Sequence, residues 1–172
     1  MSELFDFDLI FALPETCILN AFELSDRVIG AGFEDALIGT GTPGLLAVSL
    51  ELSGDTAENV ILQAGSAILQ ALPDGSRLRE VRPDLVSLAD VALRLKVKRQ
   101  ALQKRKMPPP LVGGFYRATE VRDCLANATP KRKSRLASDE ASPWFAAATG
   151  AQRVNAYLAL GQVDPASLRK LA

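Results

Sequence analysis

The formal net charge of the 172-residue chain is +0, yet its charges are sharply segregated along the sequence. Residues 94–135 hold 13 Lys and Arg against Glu120 and Asp123, a net +11. Residues 1–93 hold 4 Lys and Arg against 15 Asp and Glu, a net −11, and residues 136–172 carry 3 of each sign. Such blocks cannot share one surface without repulsion within each block, so the chain reads as an acidic domain fused to a strongly basic one. A basic segment is the electrostatic footprint of a phosphate-backbone binder. The acidic half would be repelled from the same polyanion. It should face away from the duplex or meet a partner of its own.

The stretch from Leu85 to Leu125 concentrates the structural signals. Ser87 stands three residues before Asp90, ahead of an apolar-periodic run. Its hydroxyl can accept the backbone N–H at N3, while Asp90 opposes the positive end of the helix dipole. Leu88, Val91, Ala92 and Leu95 then fall on one face at i, i+3, i+4, i+7 spacing. This first helix should end near Lys96. A second helix is expected over about 98–106, with Ala101 and Leu102 inward. Lys98, Arg99, Gln100, Gln103 and Lys104 lie on its other side. Arg and Lys suit guanine edges and Gln suits adenine, so this set matches major-groove chemistry. Pro108-Pro109-Pro110 cannot continue a helix. Leu111-Val112, Gly113-Gly114 and Phe115-Tyr116 read as strand, turn, strand, a small wing. Arg117 is placed to reach phosphate, and Thr119 can cap a third helix carrying Val121, Cys124 and Leu125 inward. The plainer alternative is a three-helix packing unit whose basic face is merely solvated.

At Asp90-Val91-Ala92, Leu95, Val97, Arg99-Gln100-Ala101-Leu102, Pro108 to Pro110, Phe115-Tyr116 and Glu120-Val121, the chain resembles winged helix-turn-helix modules of the MerR, AlpA and excisionase type. The resemblance covers roughly 40 residues. It implies a recognition helix laid in a DNA groove. Two positions depart from the family pattern. Lys96 stands where the turn commonly carries Gly, and a lysine at positive φ costs about 1 kcal/mol. Lys98 stands where the recognition helix commonly opens with a Ser or Thr cap, whose loss costs about another 1 kcal/mol. Both changes add positive charge near the expected phosphate path.

The acidic half is read from its punctuation. Leu4 to Leu13 begins with Phe5 and Phe7 on one face and Asp6 and Asp8 on the other, a strand entering a core with its carboxylates on the wet side. Asn20 to Ile29 has Ala21, Leu24, Val28 and Ile29 at helical spacing, followed by Gly30 and Gly32. Asp35 to Gly39 and Leu45 to Leu52 read as strands about a turn at Thr40 to Gly44. Ser53 to Thr56 offers caps for a helix to Leu72, with Val60, Ala64, Ala67, Ile68 and Leu72 inward. Ser76 to Val81 is a last, more polar strand. The order β-α-β-β-α-β is that of the ferredoxin-like split βαβ. The glycines from Gly39 to Gly44 are not a phosphate loop, because no helix follows them and no Gly-Lys-Ser/Thr ending occurs. Phe11-Ala12-Leu13-Pro14, Gly32, Asp35-Ala36-Leu37, Gly39, Gly41 and Pro43-Gly44 look like a segment that precedes the motif in poorly characterised bacterial helix-turn-helix regulators.

Histidine is absent and the two cysteines, Cys17 and Cys124, are far apart. That removes the commonest general base and leaves no zinc or disulfide spacing. No catalytic residue, metal site or cofactor is expected, and the chain is read as a non-enzyme. Reduced thiols, the acidic start Met1-Ser2-Glu3 and the shortness of the apolar run Leu9 to Leu13 point to a cytoplasmic, nucleoid-associated protein without a membrane span. Residues 126–142 are polar and include Pro130-Lys131-Arg132-Lys133, either a basic arm or a solubilising linker. Ser142-Pro143 then reads as a cap with Pro at N1. The helix after it, Trp144 to about Leu160, is apolar enough that it must pack on its own body or on a second subunit.

These signals predict an α+β protein: a ferredoxin-like βαββαβ domain (1–82), a winged helix-turn-helix (83–128), a basic linker (129–142) and a C-terminal helical segment (143–172). Arg82-Pro83-Asp84 is a short linker, which suggests fairly rigid coupling. The expected function is sequence-specific binding of double-stranded DNA as a homodimeric transcriptional regulator. The candidate contact residues are Ser87, Lys98, Arg99, Gln100, Gln103, Lys104, Arg105, Tyr116, Arg117, Lys131, Arg132 and Lys133. The alternatives are an adaptor whose acidic domain binds a protein partner, or an architectural or excision-directing DNA-binding factor.

Overall fold

A computed structural model of the chain describes residues 2–127 and 141–172. The first half runs β1 (Glu3–Ala12), α1 (Ala21–Gly30), β2 (Leu37–Gly39), β3 (Leu45–Gly54), α2 (Ala57–Ala71) and β4 (Arg77–Arg82). This is the element order the sequence predicts. The strands form one antiparallel sheet in the order β2-β3-β1-β4. The second half runs β5 (Leu85–Val86), α3 (Leu88–Arg94), α4 (Arg99–Gln103), β6 (Tyr116–Arg117), α5 (Ala118–Ala126) and α6 (Ser142–Ala159). The protein is therefore of mixed α+β class.

β1 organises the sheet because its alternation is strict where it matters. Phe5, Phe7, Leu9 and Phe11 are buried on one face. Their partners across β3 are Leu52, Leu50, Val48 and Leu46, so apolar side chains meet directly opposite one another. Each such side chain contributes roughly 1.5–3 kcal/mol by leaving water. On β4, Leu78 and Val81 are both buried although they are an odd number of residues apart. A register shift opposite Ile10 and Phe11 reconciles them, since one extra residue returns the alternation to the core face.

The helices covering this face start where the chain supplies caps. Asn20 accepts from the backbone N–H groups of Phe22 and Glu23, and Glu23 reaches back to the Asn20 N–H, a reciprocal capping box. That start aims Leu24 and Val28 at the core. Ala21 and Ile29, expected inward, are exposed instead, because only one i, i+4 pair of this short helix faces the sheet. Thr56 caps α2, which buries Val60, Ile61, Ala64, Ile68 and Leu69, whereas Ala67 is only half-buried.

The terminal helix α6 packs on its own chain, and on both halves of it. Ala147, Ala151 and Val154 join the sheet core, while Trp144, Phe145 and Ala148 join a second core made by α3, α4 and α5. Gly150 allows the closest approach. A Cβ placed there would lie 2.6 Å from the Ala57 Cβ and 2.6 Å from the Glu58 backbone nitrogen. The Glu58 carboxylate, in the first turn of α2, accepts from the Tyr157 hydroxyl and from Arg153. That hydrogen bond to Glu58 holds the Tyr157 phenol above its ordinary pKa.

α6 also seals one edge of the sheet. Asn155 Oδ1 accepts from the Val81 N–H at 2.8 Å, and its amide donates to the Val81 carbonyl at 2.8 Å. Further along β4, the Leu78 N–H donates to the Pro165 carbonyl. At Val81 and Leu78, backbone groups of β4 are thus satisfied by a side chain and by the C-terminal segment instead of a fifth strand.

Asp6 and Asp8 of β1 are half-buried and not on a wet face. The second half of the chain leans over that side, and Arg94 of α3 donates to Asp6 at 2.5 Å. The Arg94 guanidinium also lies 5.3 Å from the Trp144 ring centroid. Burial pushes the Asp6 carboxyl above its ordinary range, although the Arg94 charge pulls it down. This partner lies 88 residues away, too far for any local pattern to reveal.

Candidate nucleic-acid interface

The basic half is built on a small core in which Val86, Val91, Ala92, Leu95, Leu102, Ala118 and Val121 are buried. α3 begins as its sequence predicts. Ser87 Oγ accepts the Asp90 N–H at 3.1 Å, and the Asp90 carboxylate accepts the Ser87 N–H at 2.8 Å. The helix ends in a Schellman motif, with the Lys96 N–H donating to Leu93 and the Val97 N–H to Ala92. The position that this motif reserves for a left-handed residue is Lys96, at φ 53. Lys96→Gly is expected to be more stable than Lys96→Ala, which removes the same side chain but keeps the Cβ, by about 1 kcal/mol. Urea denaturation would measure this, and equal midpoints for the two variants would show that position 96 carries no backbone cost.

α4 is shorter than the expected 98–106, ending at Gln103. Lys98 is its N-cap and makes no side-chain capping bond. Leu102 is its one buried residue and Ala101 is half-buried, so Arg99, Gln100 and Gln103 are left free for contact. Lys98, Arg99, Gln100, Gln103 and Lys104 are all exposed. Among the described residues, no ion pair ties down Lys98, Arg99 or Lys104.

The segment after α4 departs from the expected hairpin. Leu111 and Phe115 share one backbone hydrogen bond of 2.7 Å across a tight turn, in which Gly113 and Gly114 take φ of 80 and 76. No strand forms at Leu111-Val112. Three preceding prolines offer no N–H groups from which a ladder could grow. Tyr116 and Arg117 pair instead with Val86 and Leu85, upstream of α3. Arg117 is the N-cap of α5 and sits 3.9 Å from Asp84, half-buried beside the interdomain linker. Thr119 does not cap α5, because its hydroxyl is engaged with Gln152 of α6. The helix still turns Val121 fully inward, with Cys124 and Leu125 half-buried.

The structure gathers five of the candidate contact residues around one cleft of about 490 Å³. Ser87, Arg99, Gln103, Arg105 and Tyr116 line it, closed on one side by Gly113 and Gly114. Arg105 is half-buried, and its Nη1 has no hydrogen-bond partner among the described residues. That nitrogen is enclosed by the protein, so any contact that Arg105 makes to phosphate comes from the other atoms of its guanidinium. Lys98, Gln100 and Lys104 are exposed along the same helix, outside the lining. Arg117 is drawn towards Asp84 and away from this group. Lys131, Arg132 and Lys133 lie outside the described residues. Arg105 is among the contact residues expected from the sequence, but the cleft that it lines is not. Only its place between a basic helix and a proline run hinted at it.

Among the described residues, no group of three or more His, Cys, Asp or Glu is placed to hold a metal. None of the described helices is long and apolar enough to cross a membrane. Comparison with protein-family models, with curated proteins and with solved structures yields no match.

Proposed function

We propose that the chain binds double-stranded DNA, with α4 entering the major groove. The observation that carries this reading is α4 itself: a basic helix turned inward at Leu102, its polar side chains exposed, beside a cleft lined by Arg99 and Arg105. The sheet order β2-β3-β1-β4 supports a ferredoxin-like unit, and the β5–β6 pair beside α3 and α4 supports a winged helix-turn-helix. Lys98, Arg99, Gln100, Gln103 and Lys104 face base edges. Arg105 and Tyr116 hold backbone beside Ser87, whose hydroxyl proton is given to Asp90, and Lys131, Arg132 and Lys133 add phosphate contacts. The protein acts as a homodimeric cytoplasmic regulator on a two-fold site. The large apolar residues of α6 pack within the chain, so a dimer contact would lie elsewhere.

The test is selection from a random duplex library across a salt series. A short two-fold motif should be enriched, and Gln100→Ala should change its sequence. Arg132→Ala should weaken all sequences alike and reduce the salt slope by about 1. Steep salt dependence without any motif would leave only an electrostatic grip, an architectural role. Absence of binding at low salt would discard the DNA reading. An adaptor role for the acidic half would then take its place, favoured by the exposure of Ile18, Phe22 and Leu37 there.

A further inference from the structure

The acidic half carries an uncovered flank at the end of the sheet away from the basic half. The basic half rests against β1 and β4, whereas β2 ends the sheet on the other side. β2 pairs only with β3, so its outer backbone edge is open among the described residues. α2 is packed between α6, which covers β1 and β4, and α1, which therefore lies towards β2. Arg27 donates to the Ala71 carbonyl of α2 at 3.0 Å and marks the side of α1 turned to that helix. Phe22 and Ile29, two turns apart, both lie about 200° round the helix from Arg27, on the side above the open edge. Phe22 is 83% exposed, Ile29 44%, and Leu37 of β2 itself 74%. Large apolar side chains gathered at an open strand edge mark an interaction surface.

The charge around this flank says what covers it. Arg27 is the only base before Arg77 in the sequence. Between Pro14 and Gly44, the carboxylates of Glu15, Glu23, Asp26, Glu34 and Asp35 are all exposed. None of the five is in an ion pair among the described residues. An apolar stripe rimmed by unpaired carboxylates is complementary to a partner that is apolar at its centre and positive around it. A second copy joined about a two-fold axis would present the same negative flank, so like charges would meet.

We infer that the α1–β2 flank docks a basic, extended segment of another protein, in which Lys or Arg residues alternate with apolar ones. The segment lies along the open edge of β2 as an added strand. Its apolar side chains cover Phe22 and Ile29, and its cations meet the carboxylates on either side of them. β2 has only three residues and can offer few backbone hydrogen bonds, so side chains and charge carry most of the binding. The site does not depend on the DNA reading, since none of its residues belongs to the basic half.

Isothermal titration of the full chain tests this with a synthetic nonapeptide of alternating lysine and valine. Nonalysine serves as the charge-only probe, and the same peptide with glutamate in place of lysine as the anionic one. The expected result is saturable 1:1 binding of the lysine–valine peptide and at least tenfold weaker binding of the other two. Phe22→Ser, a change at a largely exposed position, should weaken that peptide at least fivefold. Glu34→Lys should do the same, whereas Glu3→Lys, an equal change of charge at the exposed start of β1, should leave it unaltered. Sedimentation of the chain alone gives the remaining control. No saturable binding of the lysine–valine peptide, equal affinity for nonalysine, or equal losses in Glu34→Lys and Glu3→Lys would overturn the proposal. Self-association that Phe22→Ser abolishes would also overturn it, by giving the flank to a second copy.

Discussion

Leu102→Ala is expected to cost about 2–5 kcal/mol of stability, the range for truncating a buried leucine. The expected loss is concentrated in the basic half. Leu102 is fully buried and is the only buried residue of α4, a helix of five residues with no side-chain cap. A helix that short has no stability of its own and persists only through packing. Removing its one anchor therefore removes the helix, while the sheet core, which does not contain Leu102, keeps its packing. Hydrogen exchange would show this as lost protection from Lys98 to Lys104, with β1 and β3 amides protected as before. If α4 reads DNA, affinity should fall in parallel at every sequence, unlike the altered preference expected of Gln100→Ala. Retained protection across α4 would mean that something other than Leu102 holds the helix.

Gly150→Ala is expected to lower stability by about 1–3 kcal/mol, the cost of overpacking a filled interior. At an ordinary helical site the same change would gain up to about 1 kcal/mol. The sign reverses because the new methyl meets the Ala57 Cβ, the Glu58 nitrogen and the Ala57 carbonyl carbon, all between 2.6 and 2.7 Å. Two of those atoms are backbone, so relief requires α6 to move as a whole away from α2. Because α6 enters both cores, such a displacement would loosen Val154 on one side and Trp144 on the other. The measurement is the denaturant midpoint followed by Trp144 fluorescence and by circular dichroism. A rise in midpoint would show that the contact yields at little cost.

The sequence revealed most where structure is decided within a few residues. Ser87 and Asp90 announce their capping box, Lys96 falls in the left-handed turn that a glycine usually occupies, and Phe5 and Phe7 alternate onto the core. It revealed least where the deciding partner is remote. Asp6 and Asp8 look like solvent-facing strand residues until Arg94 and the basic half are laid over them. Tyr116 looks like the return strand of a local hairpin, yet its ladder partner is Val86. The apolar residues of α6 show that it must pack, but not that Trp144 and Ala147 belong to different cores. Of the candidate site, the exposed face of α4 was legible from residue type and spacing. The cleft with Arg105 was not, because it depends on how the chain returns after the prolines.

The pairing of Asn155 with Val81 bears on how copies of this chain can grow together. An exposed edge strand is a template for another strand. β4 is closed to that addition by Asn155 and Pro165, which leaves the three-residue β2 as the other end of the four-stranded sheet. Two molecules joined through β2 would consume both open edges at once. Strand-to-strand growth of this sheet thus terminates at a pair, in the way a polymer with one reactive end per monomer can form dimers but never a fibre.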